Sequence, residues 1–268
     1  MKKLILIAGP CIIEEEETSF IIGREVKRIC DKLGIEYIFK GSYKKANRTK
    51  LDSFRGNSPE DSLRILEKIG KELNVDTITD VHETTDCELA SLYVDYLQIP
   101  AFLCRQTDLL LAAGKYSQKG VNIKKGQFMS PEAMKFQQEK VKSEMDLPNT
   151  IYYGEKEIWI TERGTTFGYS DLIVDMTAIP RIKKFGKFIM DCTHSVQIPN
   201  QTVGITGGNP EMIETLALAS IAAGADGLFI EVHPEPHKSG SDAGSILQLD
   251  KLEQILEKCI KIRKALEY

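Results

Sequence analysis

The sequence predicts an α/β protein folded as a single (β/α)8 TIM barrel over residues 1–268. Eight short apolar, β-branched runs alternate along the chain with stretches long enough for a helix and its loops. Strands that alternate with helices form a parallel sheet. The length of 268 residues is close to the roughly 250 residues typical of one closed barrel. Each run is followed by polar or charged residues, as expected where strand ends converge on an active site.

The eight runs have the length and composition of strands. We predict the first four strands over Lys3–Ala8, Tyr37–Phe39, Val75–Thr79 and Tyr96–Ile99. We predict the other four over Gly120–Ile123, Glu157–Thr161, Lys187–Met190 and Gly227–Ile230. In a barrel of this type all eight carboxyl ends meet at one face, so residues far apart in the sequence are expected to share a site.

Helical spacing of apolar residues separates most of these strands. It predicts helices over Thr18–Leu33, Pro59–Leu73, Thr107–Tyr116, Pro131–Met145, Pro210–Ala223 and Asp250–Leu266. Three of them have a proline near the N-terminus, where a missing N–H donor costs little. We expect these helices to form the outer ring of the barrel. The polar, turn-rich segment Asp146–Lys156 predicts an exposed loop, and Glu231–Ser245 predicts a long loop over the barrel mouth.

Charge and composition exclude several classes of partner. The net charge of -4 and the pI of about 5.7 argue against a nucleic-acid or membrane surface, which needs excess positive charge. No apolar stretch approaches the roughly 20 residues of a membrane span. The first strand begins too close to Met1 for a signal peptide, and the six cysteines contain no CxxC pair. We therefore expect a cytoplasmic protein with reduced thiols.

Potential metal ligands follow the first, seventh and eighth predicted strands. They are Cys11, His194, Glu231 and Asp242. Closure of a barrel brings the first strand beside the eighth, so these residues can share one site. A thiolate, an imidazole and two carboxylates suit Zn²⁺, Fe²⁺, Mn²⁺ or Co²⁺ better than Mg²⁺, which avoids sulfur. Each residue also has an ordinary structural interpretation, such as a buried apolar thiol or a loop aspartate.

Positive charge is concentrated after the second strand of this acidic chain. The basic residues between Tyr37 and Arg55 are Lys40, Lys44, Lys45, Arg48, Lys50 and Arg55, with Asp52 as the one acid. Further cations, Lys124, Lys125 and Arg163, follow two other strands. A mixture of arginine and lysine suits phosphate recognition, so this pattern indicates a phosphorylated substrate, whereas an isolated charge run is usually a solvated loop. Strand register decides which of Lys124 and Lys125 faces inward, and we favour Lys124.

A series of different short motifs extends along nearly the whole chain. The motifs are Ile7-Ala-Gly-Pro-Cys11, Phe39-Lys-Gly-Ser, Lys45-Ala-Asn-Arg-Thr49, Ser53-Phe-Arg-Gly56, Thr79-Asp-Val-His-Glu83, Leu97-Gln-Ile-Pro-Ala-Phe-Leu103, Arg105-Gln-Thr-Asp108, Val121-Asn-Ile-Lys-Lys-Gly-Gln-Phe128, Glu162-Arg-Gly164, Phe167-Gly-Tyr169, Asp191-Cys-Thr-His-Ser-Val-Gln197 and His233-Pro-Glu-Pro236. In this order they closely resemble the 3-deoxy-D-manno-octulosonate 8-phosphate synthase family.

The resemblance implies an activity and an assembly. Members of that family condense phosphoenolpyruvate with D-arabinose 5-phosphate and water, which gives 3-deoxy-D-manno-octulosonate 8-phosphate and phosphate for lipopolysaccharide biosynthesis. The resemblance also implies a homotetramer. One branch of the family is metal-dependent and has cysteine after the first strand, where the other branch has asparagine. Cys11 and the segment Ser241-Asp242-Ala243 resemble the metal-dependent branch.

The resemblance also assigns roles to residues of this chain. It implies that Lys45, Lys124 and Arg163 surround phosphoenolpyruvate, with Gln106 nearby. The residues expected to be catalytic are Lys45, Lys124, Arg163 and His194, and those expected to bind substrate are Lys40, Asn47, Arg48, Thr49, Asp80, Gln106 and Ser195. Two roles for the metal are compatible with this set, namely activation of water and orientation of the aldehyde.

Other functions are compatible with parts of the pattern. The related 3-deoxy-D-arabino-heptulosonate 7-phosphate synthases use erythrose 4-phosphate and read Lys-Pro-Arg-Thr where this chain reads Lys45-Ala-Asn-Arg-Thr49. The inserted asparagine favours the five-carbon sugar. A non-catalytic barrel that binds a phosphorylated metabolite would keep the cations without the four potential ligands. A metal-dependent hydrolase would be expected to have a histidine-rich ligand set.

Overall fold

The computed structural model describes residues 3–46, 55–145, 155–168, 171–199 and 207–266. Eight parallel strands form the barrel: β1 (Ile5–Gly9), β2 (Glu36–Lys40), β3 (Asp76–Asp80), β4 (Tyr96–Ile99), β5 (Gly120–Lys124), β6 (Glu157–Glu162), β7 (Lys187–Asp191) and β8 (Gly227–His233). Each strand pairs with the next, and β8 pairs back with β1, with Gly9 opposite Glu231. The barrel is therefore closed, which confirms the (β/α)8 prediction.

Helices separate the strands as predicted. They are α1 (Glu16–Leu33), α2 (Pro59–Leu73), α3 (Thr84–Ser91), α4 (Thr107–Tyr116), α5 (Met134–Met145), α6 (Ala178–Ile182), α7 (Met212–Ala222) and α8 (Leu252–Ala265). The bounds of α2 and α4 match the prediction, and the other predicted helices are shifted by only a few residues. The sequence reasoning missed α3 and α6, which have 8 and 5 residues and are too short for a clear apolar repeat.

Apolar side chains fill the inside of the barrel. The inner cluster consists of Ile5, Ile7, Ile38, Ile78, Tyr96, Trp159, Ile189 and Phe229. The rings of Tyr96 and Trp159 stack with their centroids 4.4 Å apart. A second and larger cluster lies between the strands and the helices. The barrel has a packed interior rather than a pore, so the room for chemistry is at its ends.

The two predicted loops have different outcomes in the structure. The strand β8 continues to His233, so the predicted loop over Glu231–Ser245 was wrong at its start, and Glu231 lies within a strand. The short strand Leu247–Gln248 pairs with the end of β8. The Gly240 N–H donates to Glu14 Oε1 at 2.8 Å and ties this loop to the loop after β1. Most of the predicted loop Asp146–Lys156 lies outside the described residues. Within the described ranges, no helix is long and apolar enough to cross a bilayer.

The helix α3 begins with a capping box that the apolar pattern does not reveal. The side chain of Asp86 accepts the N–H of Glu83, and the side chain of Glu83 accepts the N–H of Asp86. Asp86 also accepts from the N–H of His82 at 3.0 Å and from Lys44 Nζ at 2.7 Å. One carboxylate therefore starts the helix and fixes the loop after β2.

The substitution Asp86→Ala is expected to lower the free energy of unfolding by about 2 kcal/mol, because it removes a helix cap and a charged hydrogen bond. Urea unfolding followed by circular dichroism measures the change. The matched control is Asp108→Ala, an exposed carboxylate in the first turn of α4, with an expected change within about 0.5 kcal/mol. Equal effects of the two substitutions would contradict the capping role of Asp86.

Candidate active site

The alternation of side chains along the strands decides which residues reach the mouth of the barrel. Successive residues of a strand point to opposite faces. A residue two positions after an inward apolar side chain therefore also points inward, as Lys40 does after Ile38 and Glu231 after Phe229. The inward residues above the apolar layer are Lys40, Asp80, Gln98, Asn122, Lys124, Thr161, Asp191 and Glu231, and all of them are buried. A polar and charged layer therefore closes this end of the barrel.

Three of the four predicted metal ligands meet at this layer, and the fourth, His194, lies beside one of them. Ligand atoms of Cys11, Glu231 and Asp242 all lie within 4.8 Å of one another. The Cys11 Sγ lies 3.1 Å from Asp242 Oδ2. The Nε2 of His194 lies 3.7 Å from Glu231 Oε2. This arrangement brings a thiol, an imidazole and two carboxylates from four separate segments to one place.

The donor set fits a divalent cation. Glu231 Oε2 is buried and has no hydrogen-bond partner among the described residues, which is costly unless a cation or donor occupies the space beside it. Burial and the negative charge of Glu231 hold the pKa of the Cys11 thiol well above its usual value, with a smaller contribution from Asp242. A bound cation reverses this effect, since a coordinated thiol is deprotonated. Soft and hard donors together favour Zn²⁺, Fe²⁺, Mn²⁺ or Co²⁺ over Mg²⁺.

The carboxylate of Asp191 orients His194. The Nδ1 of His194 lies 2.8 Å from Asp191 Oδ2, and the N–H groups of Thr193 and His194 donate to Asp191 Oδ1. Burial opposes the charge of Asp191, but His194 and Lys124 hold its pKa far below the ordinary value. An ionised carboxylate only accepts, so Nδ1 donates to Asp191 while the other ring nitrogen, Nε2, faces Glu231. A carboxylate behind the imidazole in this way is typical of metal-ligating histidines.

Two lysines lie against the potential ligands. Lys40 Nζ donates to Glu231 Oε1 at 2.6 Å and to the Cys11 carbonyl at 3.0 Å. Burial lowers the pKa of Lys40, but Glu231 and Asp80 outweigh burial and raise it above the ordinary value. Lys45 is buried too, and the acidic groups around it, among them the carboxylates of Glu231, Asp242 and Asp80, likewise outweigh burial and raise its pKa. Both amines are therefore held as ammonium groups.

The structure turns Lys124 inward and Lys125 outward. Lys124 Nζ donates to Asp191 Oδ2 at 2.7 Å and lies 3.8 Å from the centroid of the Phe229 ring. Lys125 Nζ lies 3.3 Å from Glu162 Oε2 and donates to the carbonyls of Gly126 and Met129. Lys124 is therefore the lysine that reaches the cluster of potential ligands. Lys125 supports the loop that follows β5.

Two buried polar groups near this cluster lack partners among the described residues. They are Arg163 Nη1 and Ser195 Oγ. The other terminal nitrogen of the guanidinium, Nη2, donates to Gln197 Oε1 at 2.7 Å. An anion that accepts from Nη1 would satisfy the guanidinium. These groups therefore have the chemistry of an anion-binding site.

The remaining predicted substrate residues have different positions. Asp80 belongs to the polar layer, where Lys40 Nζ lies 3.8 Å from Asp80 Oδ2. Gln106 is exposed at the N-cap of α4, and no contact within the described chain joins its side chain to the cluster. Its role in substrate binding stays a prediction. Asn47, Arg48 and Thr49 lie outside the described residues.

Comparison with known proteins supplies the family. The DAHP synthetase I family matches residues 1–268, the whole length of the chain. The chain belongs to this family.

Curated relatives in this family are similar over nearly the full chain. A protein of Koribacter versatilis is 46% identical over 266 residues, which cover 98% of this chain and 92% of the relative. Relatives from Fusobacterium nucleatum and Desulfotalea psychrophila are 45% and 44% identical, each over 98% of this chain and 91% of the relative. All three are named 2-dehydro-3-deoxyphosphooctonate aldolase. This is another name for the synthase that the motifs resemble, so the resemblance is confirmed.

In this member of the DAHP synthetase I family, a hydrogen-bonded series of buried side chains lies beside the site. The sequence alone did not predict it. Thr161 Oγ1 donates to Asn122 Oδ1 at 2.6 Å, and Asn122 Nδ2 donates to Gln98 Oε1 at 2.8 Å. Gln98 Nε2 then donates to Asp80 Oδ1 at 2.5 Å. Ser42 Oγ donates to the other oxygen of Asp80. All donors point toward Asp80, so the series fixes the orientation of its carboxylate next to Lys40.

The residues of this hydrogen-bonded series lie within sequence runs that look simply apolar. Gln98 and Asn122 sit opposite one another in the register of β4 and β5. Each is a polar residue in the middle of a strand, two positions after an inward residue. This pattern is the signal that could have identified them as inward-facing polar groups.

The substitution Asn122→Asp is expected to disrupt this series, because a carboxylate cannot donate to Gln98. The ionised group would be buried without a cation in contact, so the free energy of unfolding is expected to fall by about 3 kcal/mol or more near neutral pH. The pKa of such an acid is raised in the folded state, so the loss grows as pH rises and shrinks as pH falls.

Urea unfolding at about pH 7.5 and about pH 5.5 measures this difference. The uncharged control Asn122→Leu loses the same hydrogen bonds, and its destabilisation is expected to be the same at both pH values. A loss in Asn122→Asp that does not depend on pH would contradict the burial of an ionised group there.

Proposed function

We propose that the chain condenses phosphoenolpyruvate with D-arabinose 5-phosphate and water to give 3-deoxy-D-manno-octulosonate 8-phosphate and phosphate. The observation that carries this proposal is a barrel mouth where ligand atoms of Cys11, Glu231 and Asp242 meet, with His194 beside Glu231. Buried cations lie in the same layer or at the ends of the strands, namely Lys40, Lys45, Lys124 and Arg163. It occurs in a chain 46% identical to a protein named 2-dehydro-3-deoxyphosphooctonate aldolase. The reaction belongs to lipopolysaccharide biosynthesis, and we place it in the cytoplasm.

The cations are assigned to phosphoenolpyruvate. Lys45, Lys124 and Arg163 bind its carboxylate and phosphate, and Nη1 of Arg163, which has no partner among the described residues, is one of the donors. Ser195 Oγ is a second buried donor, and we assign it to arabinose 5-phosphate together with Asn47, Arg48 and Thr49. Lys40 and Asp80 complete the wall between the two substrates. Two anchored phosphates hold the enol carbon against the aldehyde, which supplies much of the rate gain through proximity and orientation.

The site also holds a divalent metal in this proposal. Cys11, His194, Glu231 and Asp242 would hold it, and Zn²⁺, Fe²⁺, Mn²⁺ and Co²⁺ are the candidates. The metal would act as a Lewis acid that stabilises negative charge on a substrate oxygen. Asp191 accepts a hydrogen bond from Nδ1 of His194, so Nε2 would be the ring nitrogen that binds the metal.

The chemistry needs no covalent bond to the protein. A bond forms between C3 of phosphoenolpyruvate and the aldehyde carbon, water adds at C2, and the phosphate leaves. Phosphoenolpyruvate is already an activated enol, so no Schiff-base lysine is required. The raised pKa values of Lys40 and Lys45 agree with this, because amines that stay protonated are not nucleophiles. The ammonium groups instead stabilise the negative charge that develops in the transition state.

A homotetramer is part of the proposal. Several phenylalanines on the loops after β4, β5 and β6 and on α5 are exposed in the single chain. They are Phe102, Phe128, Phe136 and Phe167. Exposed aromatic side chains grouped on one side of a protein are typical of an interface with another protein. We therefore place a subunit contact on this side of the barrel.

The proposed reaction is tested by phosphate release from phosphoenolpyruvate with arabinose 5-phosphate, with erythrose 4-phosphate, and with no sugar. Release is expected with arabinose 5-phosphate, to stop after chelation and to return with Mn²⁺ or Zn²⁺. Release with erythrose 4-phosphate alone would support the related heptulosonate synthase reaction instead. No release with either sugar would favour a non-catalytic barrel that binds phosphorylated metabolites.

The substitution Cys11→Ala is expected to lower both metal content and turnover by about 100-fold or more, because it removes one of four ligands. Metal content after desalting and phosphate release measure these effects, and circular dichroism is expected to show an intact fold. The control is Cys30→Ala, which removes a buried thiol on α1, a helix that carries none of the proposed metal ligands. Full turnover of metal-stripped Cys11→Ala would refute the metal requirement.

A further inference from the structure

One side chain joins the anion-binding arginine to a potential metal ligand. Gln197 follows β7 by a short turn and is buried. Its Oε1 accepts from Arg163 Nη2 at 2.7 Å, and its Nε2 donates to Asp242 Oδ1 at 3.0 Å. The two groups that would hold the substrate anion and the metal are thus bridged by a single amide.

The amide can adopt one orientation only. A guanidinium has donors and no acceptor, and an ionised carboxylate has acceptors and no donor. If the amide of Gln197 turned over, its NH₂ group would face Arg163 and its oxygen would face Asp242, so both hydrogen bonds would be lost. The position of the guanidinium and that of the carboxylate are therefore linked through a rigid planar group.

Asp242 depends on such side-chain contacts more than the other ligands do. Glu231 belongs to β8 and Cys11 is separated from β1 by Pro10 alone, whereas Asp242 lies in the long loop after β8. Its backbone is left-handed, with φ of 51°, which is uncommon for a residue other than glycine. Contacts to its carboxylate come from Gln197, from Ser241 Oγ at 3.0 Å and from Cys11 Sγ at 3.1 Å.

We propose that Gln197 is a positioning residue that couples the metal site to the phosphoenolpyruvate site, so that binding of either ligand strengthens binding of the other. The inference rests on the proposed function. An anion held by Arg163 Nη1 restricts the guanidinium to the orientation in which Nη2 meets Gln197. The amide then holds Asp242 in place for the metal. Coupling between two sites is reciprocal, so the metal strengthens phosphoenolpyruvate binding by the same factor.

The test is a titration of the metal-free protein with Co²⁺. Binding is monitored through the charge-transfer absorption between the Cys11 thiolate and the ion. It is run with and without saturating phosphoenolpyruvate, at free Co²⁺ concentrations held by a metal buffer. In the unmodified chain, phosphoenolpyruvate is expected to lower the Kd for Co²⁺ by about 5- to 50-fold. In Gln197→Met, which keeps the size of the side chain but not its hydrogen bonds, the effect is expected to fall below about 2-fold.

The matched control is Ser241→Ala, which removes a contact to Asp242 but none to Arg163. It is expected to weaken Co²⁺ binding while phosphoenolpyruvate still lowers the Kd by the full factor. Gln197→Asn keeps an amide that is too short to span both partners, and it is expected to behave as Gln197→Met does. It serves as the second variant if circular dichroism shows that Gln197→Met does not fold.

The outcomes separate this inference from the proposed function. If Co²⁺ gives no thiolate signal with the unmodified chain, the proposed metal site is wrong. If Co²⁺ binds but phosphoenolpyruvate leaves its Kd unchanged, the coupling does not exist although the metal site stands. If Gln197→Met and Gln197→Asn keep the full effect, phosphoenolpyruvate acts on the metal directly and the bridge is refuted. Loss of coupling in Ser241→Ala as well would refute the specific role of Gln197.

Discussion

The ion pair between Lys40 and Glu231 is the interaction on which the rest of the site depends. It joins β2 to β8 across β1, with Nζ and Oε1 2.6 Å apart and side chains 1% and 0% exposed. Removal of one partner from such a buried pair leaves an uncompensated charge and typically costs about 3–5 kcal/mol. The pair also fixes which oxygen of Glu231 stays available. Oε1 is taken by the lysine, so Oε2 is turned toward His194 and the space among the potential metal ligands.

Buried charges are balanced by opposite charges throughout the mouth of the barrel. Lys40, Lys45, Lys124 and Arg163 are matched there by Asp80, Asp191, Glu231 and Asp242. Phosphoenolpyruvate alone would add the negative charge of its carboxylate and its phosphate to this balance, and a divalent cation alone would add positive charge. When they bind together, each offsets part of the charge that the other brings. Electrostatics therefore favours binding of the anion and the metal as a pair, which agrees with a bridge between their two sites.

Much of this arrangement was predictable because a strand has a period of two. Apolar runs indicated the eight strands, and the residues after them indicated the mouth, including the choice of Lys124 over Lys125. The reasoning was weaker where a polar residue sits inside an apolar run. Gln98 and Asn122 were read as parts of strands, whereas Gln106 was selected because it follows one. The short helices α3 and α6 depend on caps and tertiary packing rather than on an apolar repeat.

The distribution of the ligands over rigid and less rigid elements suggests how the site responds to its substrates. Glu231 is fixed by β8, and Cys11 lies just beyond β1 with its carbonyl bound by Lys40. His194 is fixed by the three hydrogen bonds that join it and its neighbour to Asp191. Of the four, Asp242 lies farthest along the chain from a barrel strand, so it is the ligand whose position side chains can best adjust. A site with all four ligands on strands would have no movable ligand through which the substrate could act on the metal. Placing the fourth ligand on the loop, within reach of Gln197, lets the occupancy of Arg163 influence the metal.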